Sequence, residues 1–426
     1  MASFFIPLTG LESDSTALNT IANDLSNMNT TAFKAQTTNF SDLFYQPIGS
    51  TGAGDPIQVG AGVQVAANET SYTQGSINST GNSTDVALNG NGFFVINNGS
   101  WGYECTRAGD FTQYTNGNLV TSNGLGVMGY PAVNGVVNTN APLAAINIPV
   151  GEVQEPKATT TLNMTANLDA DSATGTQFPA QVTVYDSLGE PHVATVSYQQ
   201  TAANTWSYSV ALPATDFTSG VSTPVTGTMA FNAAGNLTTV TPTGGAAETV
   251  GAAVGDVSSI PLTFTGLADK ASDLSIGWTL LGSNGTPTIS QVDTASAVSA
   301  TTQNGYASGQ YQSFTIGSDG SVTVSYSNGQ KENVGQLALA NVTNLQGLNL
   351  LGDGDYDTTL ASGTAAISTS GTSGLATLQD GALEASNVNI SSEFSELIIA
   401  QRAFEANAKS VTTFDTVTQD TINMVH

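Results

Sequence analysis

The sequence predicts a mainly β protein, in which nested all-β domains are carried by N- and C-terminal α-helices that form a coiled-coil-like inner domain. Three observations lead there. Apolar residues recur at helical spacing only near the two ends of the chain. The long middle alternates apolar and polar residues in short runs between Gly, Asn and Asp turns. Only 9 % of the 426 residues are charged, so Thr, Ser, Asn, Gln and 45 glycines must supply the polar surface.

At the N-terminus Leu11, Leu18, Ile21, Ala22, Leu25 and Met28 follow the spacing of an amphipathic helix. Asn27, Asn29, Thr30 and Thr31 then weaken it. Residues 45–62, rich in Gly and Pro, read as an irregular connector. Strands are expected at 85–88 and 93–97, then at 119–121, 126–130, 181–185, 192–199 and 206–211. Later strands fall at 227–231, 274–280, 310–316, 321–326 and 336–339, with turns at 186–189, 232–235, 319–320 and 328–329.

Helical spacing returns at the far end. Ile390, Phe394, Leu397, Gln401, Phe404, Ala408, Val411, Asp415, Thr418, Ile422 and Val425 alternate by four and three, a heptad seam with polar interruptions. Ser391 or Ser392 is placed to cap this helix, with Glu393 and Glu396 near its positive end and Glu405 four residues before Lys409. About 30 helical residues span roughly 45 Å. The order helix, β, β insertion, β, helix predicts helical ends at 1–30 and 388–426 and connectors at 31–75 and 375–387. It places an inner β domain at 76–145 and 301–374 and an inserted outer β domain at 146–300. The two helical ends can pair within a subunit or with neighbouring subunits of a polymer.

Seven Lys and Arg stand against 33 Asp and Glu, a net charge of −26. Such a chain cannot neutralise nucleic-acid phosphates or hold a polybasic membrane contact. No run reaches the roughly 18 apolar residues of a spanning helix, so no membrane insertion is expected. The first residues lack the basic and continuous apolar regions of a cleaved secretory signal. A single cysteine, Cys105, excludes an intramolecular disulfide and a cysteine zinc cluster. The histidines are His192 and His426, and a metal site at His192 requires distant carboxylates to converge on it. Residues 352–357 lack the spacing and closing Glu of a calcium loop and read as a solvated acidic loop. No nucleophile elbow, HExxH helix or phosphate-gripping loop occurs. We therefore expect a structural protein rather than an enzyme, with no catalytic residue, cofactor or metal.

Residues 18–27 with their leucines and asparagines, the Thr31-Ala32-Phe33-Lys34 element, 41–44, 60–65 and Gln74-Gly75 resemble, in order, segments of the bacterial flagellar axial proteins that build rod, hook and hook junction. Further on come Asp85-Val86-Ala87-Leu88, the Gly90–Val95 run with Gly92, Phe93 and Phe94, and 107–111 beginning at Arg107. Near the far end come 381–388 with Asn387, and 397–407. The stretch of about 150 residues between Pro149 and Ala300 is similar to the central insertion of the hook members. Asp24-Leu25 departs from the second asparagine and β-branched residue usual there, and 46–57 is longer than in short hook proteins.

The resemblance implies a subunit exported through the flagellar type III apparatus without a cleaved signal. It would polymerise with itself outside the cell into a curved, flexible tube, a universal joint between motor and filament. It implies as partners the distal rod protein, the hook-capping protein and the hook–filament junction protein. Leu11, Leu18, Ile21, Leu25, Met28, Phe394, Leu397, Phe404, Ala408, Val411 and Ile422 would make the inner-tube contacts. Phe33, Asp85, Gly92, Phe93, Phe94, Arg107 and Asn387 would be structural positions. The alternatives are a distal rod or hook-junction subunit, and an extracellular β-rich adhesin that does not polymerise.

Overall fold

The computed structural model describes residues 5–424 apart from 51, 53, 98, 100, 101, 254 and 373. Val425 of the expected seam and His426 lie outside the described residues. The fold is mainly β with one helix at each end: α1, Phe5–Ser26, and α2, Ile390–Met424. Two compact units result. One is built from Met1–Val150, Ser313–Ser325 and Lys331–His426, the other from Gly151–Gln312 and Tyr326–Gln330.

α1 starts before the first periodic leucine, with Pro7 in its opening turn, where no intrahelical N–H bond is needed. It stops at Ser26 because Asn27 and Thr30 satisfy each other locally: Thr30 Oγ1 donates to Asn27 Oδ1 at 3.0 Å. Met28, expected in the helix, therefore sits in the turn beyond it. α2 is capped by Asn389, whose Oδ1 accepts from the N–H groups of Ser391 and Ser392 at 3.0 and 3.4 Å, so neither serine is the cap. Among the described residues Glu405 and Lys409 form no ion pair; both are exposed, and water competes for each charge.

In the first unit the strands Lys331–Asn341, Gly126–Val133, Phe93–Asn97, Tyr103–Thr106, Asp355–Asp357 and Asn349–Gly352 hydrogen-bond in that order, all antiparallel. Phe93, Val95, Cys105, Met128 and Ala340 bury together. Phe94 sits edge-on to Phe111, ring centroids 5.0 Å apart. Burial pushes the Cys105 thiol up to about 11, so it serves as a packed apolar group. Residues 352–357 are not a solvated loop: they complete a hairpin in which buried Asp355 accepts from Asn123 Nδ2 at 2.8 Å. Residues 45–62 are not irregular either. Gln46–Ser50 pairs antiparallel with Pro56–Val59, and Pro56 is tolerated as the first residue of its strand.

The second unit holds a six-stranded antiparallel sheet in chain order from Gln177–Tyr185 to Glu248–Thr249. A five-stranded sheet centres on Thr161–Asp169, parallel to Leu274–Thr279 and Ile289–Val292 and antiparallel to Ala297–Gln303. Alternate residues of Pro191–Ala202 and Thr205–Ala211 are buried, the period of a half-covered strand. Trp278 of the second sheet meets Tyr208 and Tyr198 of the first at 5.7 and 6.2 Å, so the sheets share one core.

Candidate assembly interface

α1 and α2 lie antiparallel. Asn407 Nδ2 donates to Asp14 Oδ2 at 2.8 Å, and further along α1 Ile21 shares a groove of about 310 Å³ with Glu396, Ile399 and Ala400. Gly10 permits the close approach, since a Cβ there would stand 2.6 Å from Asn407 Nδ2. The buried residues of α1 are Pro7, Gly10, Ser13, Thr20, Ile21 and Asp24. Thr20 Oγ1 accepts from Thr38 Oγ1 at 3.1 Å in the strand Gln36–Asp42, which pairs with Val63–Thr70 beside the helix.

That covered face is not the leucine stripe. Of the α1 residues expected at contacts, Ile21 is buried, Leu11, Leu18 and Leu25 are half-buried, and Met28 is exposed. Small and hydroxyl side chains let a second helix and a strand pair approach closely, which leaves the larger leucines on the flank. α2 has no buried residue at all. Leu397, Ala408 and Val411 are half-buried, whereas Phe394, Phe404 and Ile422 are 52, 37 and 57 % exposed. Ile398 and Ile399, which the heptad frame left out, add further exposed apolar surface.

The segments that follow α1 and precede α2 are tied together by a buried ionic clasp. Glu384 Oε1 accepts from Lys34 Nζ at 2.7 Å and from the Gly75 N–H at 2.8 Å, while Oε2 accepts from Arg107 Nε at 2.8 Å. Lys34 also donates to the Thr73 carbonyl, and Arg107 to the carbonyls of Gly92 and Gly90 at 2.9 and 2.7 Å. Gly92 serves this through a φ of +127°, and a Cβ there would stand 2.9 Å from Leu375 Cδ2. Burial pulls the Lys34 ammonium below its usual range, with Glu384 acting in the opposite direction.

Asn387 adds a second tie: its Oδ1 accepts from the Ala35 N–H and its Nδ2 donates to the Ser71 carbonyl, both at 2.8 Å. Asp85 accepts from Asn82 Nδ2 at 3.2 Å, and its carbonyl accepts from the Gly381 N–H at 2.9 Å. Phe93 and Phe94 are buried and Phe33 half-buried. Motif reading named Arg107 and Asn387 as structural positions and placed Lys34 and Glu384 inside motifs, without joining Lys34 and Arg107 through Glu384. The available signal was scarcity: with so few cations, a lysine and an arginine inside ordered motifs are candidates for buried pairing.

These segments fall within recognised families. Residues 87–167 match the flagellar hook protein FlgE/F/G D1 domain, 151–306 the flagellar basal body protein FlaE D2 domain, and 379–424 the flagellar basal body rod FlgEFG protein C-terminal region. The flagellar hook protein FlgE of Treponema pallidum (strain Nichols) is 34 % identical across 100 % of this chain and 99 % of its own length. The chain belongs to the flagellar hook protein family. FlgE of Escherichia coli (strain K12) is likewise 34 % identical, over 99 % of this chain and all of that one. The fold is similar to the crystal structure of Helicobacter pylori flagellar hook protein FlgE2, with a TM-score of 0.55 and 14 % identity over 72 % of this chain and 100 % of that one.

In this hook-family chain Asp24 carries an electrostatic penalty. Its Oδ2 accepts from the Gln36 N–H at 2.8 Å, but its buried Oδ1 has no hydrogen-bond partner. Burial, with Glu396 nearby, pushes the carboxyl up to about 6, and Glu393 is raised by burial and then by Asp24 and Glu396. A folded-state value above the unfolded 3.8 means the neutral form favours folding. Stability is then full below the unfolded value, falls as pH rises from about 4 to 6, and levels off above. Asp24→Asn keeps an acceptor for Gln36 and removes the charge. It is expected to slow hydrogen exchange in α1 at pH 7 and to abolish the wild-type loss of protection between those pH values. Equal pH profiles for the two proteins would contradict this.

Proposed function

We infer that the chain is a polymerising axial subunit of the bacterial flagellum and, within that class, the hook subunit. Copies assemble outside the cell into a short curved tube that acts as a universal joint, passing motor torque to the filament. The observation that carries the reading is the uncovered apolar surface of α2. Phe394, Ile398, Ile399, Val417 and Ile422 are each more than half exposed in the single chain, and this much uncovered apolar surface on one helix marks an interaction site. Phe394 and Ile422 lie on the heptad frame, which suits the helix to helices of neighbouring copies.

The net charge of −26 keeps free subunits apart until they are brought together. Polar outer strands with few charged anchors let neighbouring β units slide at low cost while the helices stay joined. The ionic clasp would hand force from the helix pair to the first β unit. Export through the type III apparatus, growth under a hook-capping protein, and end contacts with a distal rod protein and a hook–filament junction protein complete the proposal.

The test is assembly. Full-length chain, concentrated in salt that screens its self-repulsion, is expected to form tubes visible by electron microscopy. A chain ending at residue 389 is expected to stay monomeric and keep the thermal transition of its β units. Tubes from the shortened chain would contradict the reading.

A further inference from the structure

His192 follows the turn between Gln177–Tyr185 and Pro191–Ala202 and sits opposite Val184 in the register of that hairpin. Three carboxylates from three segments of the second unit surround its ring. His192 Nδ1 lies 2.8 Å from Asp216 Oδ2, at the end of the 3-10 helix Ala214–Asp216. His192 Nε2 lies 3.3 Å from Asp186 Oδ2. One ligand atom each of Asp186, His192 and Asp269 lies within 4.8 Å of the other two. Asp186 and His192 are 0 and 5 % exposed, whereas Asp269 is open to solvent.

The arrangement is held from outside. Asp186 Oδ1 accepts from the N–H groups of Leu188 and Glu190 at 2.8 and 2.9 Å, which fixes the carboxylate and leaves Oδ2 for the ring. Gly189, at φ +85°, closes the turn against Pro156. The Ala268 N–H donates to the Asp216 carbonyl at 3.0 Å, and the Ser272 N–H to Ser187 Oγ at 3.0 Å, so the segment bearing Asp269 is tied to both other segments.

We propose that Asp186, His192 and Asp269 bind a divalent transition-metal ion, with zinc as the committed occupant, and that Asp216 positions the imidazole for it. An Nδ1–H donated to Asp216 leaves the Nε2 lone pair facing the other two carboxylates, the usual way a ligating histidine is oriented by a second carboxylate. A tetrahedral ion with ligands at about 2.0–2.1 Å sets neighbouring ligand atoms roughly 3.3 Å apart, the spacing of His192 Nε2 and Asp186 Oδ2. Charge points the same way. Among the described residues no lysine or arginine pairs with Asp186, Asp216 or Asp269. With the ring neutral, as a ligating imidazole must be, the three carboxylates bring three negative charges together, and one divalent ion offsets two of them. A mixed nitrogen and oxygen set suits zinc better than calcium or magnesium, which take oxygen ligands. The ion would staple the hairpin turn to the loop that carries Asp269.

The test uses chelator-treated, untagged full-length chain at a concentration where it is monomeric, titrated calorimetrically with zinc chloride at pH 7.5. One zinc per chain is expected, with a rise in the thermal midpoint that calcium and magnesium do not produce. Asp269→Asn alters an exposed side chain and should leave the apo fold intact by circular dichroism, yet weaken zinc at least tenfold. Asp216→Asn should weaken it by about 10–100-fold. No zinc uptake at a hundredfold excess would overturn the proposal and leave His192 as an imidazolium held between Asp186 and Asp216. Zinc binding that Asp269→Asn leaves unchanged would overturn it as well.

Discussion

Glu384→Ala is expected to destabilise the monomer by about 3–5 kcal/mol, the range for removing one partner of a buried ion pair. Glu384 is 2 % exposed and is the acceptor shared by Lys34, Arg107 and the Gly75 N–H. Alanine leaves an ammonium and a guanidinium buried side by side with backbone carbonyls as their remaining acceptors. Neither can reach water without opening the junction of 32–36, 71–75 and 382–387. Glu384→Gln keeps one acceptor and loses the charge, so it should fall between wild type and alanine. Urea unfolding of the three monomers gives the order directly. A loss under about 1 kcal/mol for alanine, the scale of an ordinary surface change, would show that the clasp is not buried as described.

The helices and a minority of the strands were legible, because periodicity is a local property; Gln36–Asp42, Val63–Thr70 and Thr161–Asp169 were not anticipated. Ser321–Tyr326 falls where alternation put it, and Phe93–Asn97 where an apolar run after the turn at 89–92 did. Lys331–Asn341 runs well past the expected 336–339, because pairing with four other strands extends it beyond its apolar centre. The face of a helix that becomes buried was not legible. Hydrophobicity picked out Leu11, Leu18 and Leu25, but Gly10, Ser13 and Thr20 made the close contact, since approach distance rather than apolarity decided it. The hairpin of Gln46–Ser50 and Pro56–Val59 was hidden by residues that normally break strands. The clasp and the His192 cluster were hidden for a different reason. Lys34 and Glu384 are 350 positions apart, and Asp269 is far along the chain from His192, so no spacing rule connects them.

Phe394→Asp is expected to abolish polymerisation while leaving the monomer as it is. Phe394 is 52 % exposed on α2, so a carboxylate there stays in water in the single chain. In a polymer that buries the same face, the charge would enter a contact from which water is excluded, and no cation on the described surface of α2 is placed to pair with it: Arg402 and Lys409 lie two and four turns away. Leu397→Asp is a less clean probe. Leu397 is half-buried in the monomer, so its replacement should loosen the helix pair as well as block assembly. Ile398→Asp, at 52 % exposure, should repeat the Phe394 result from the adjoining position.

The central claim, assembly through the uncovered face of the C-terminal helix, is tested most directly by one paired measurement on Phe394→Asp: thermal melting of the monomer and electron microscopy of the concentrated protein. An unchanged melt with no tubes is the predicted result. Normal tubes would place the assembly contact elsewhere, and a monomer that no longer melts cooperatively would make α2 part of a folded core.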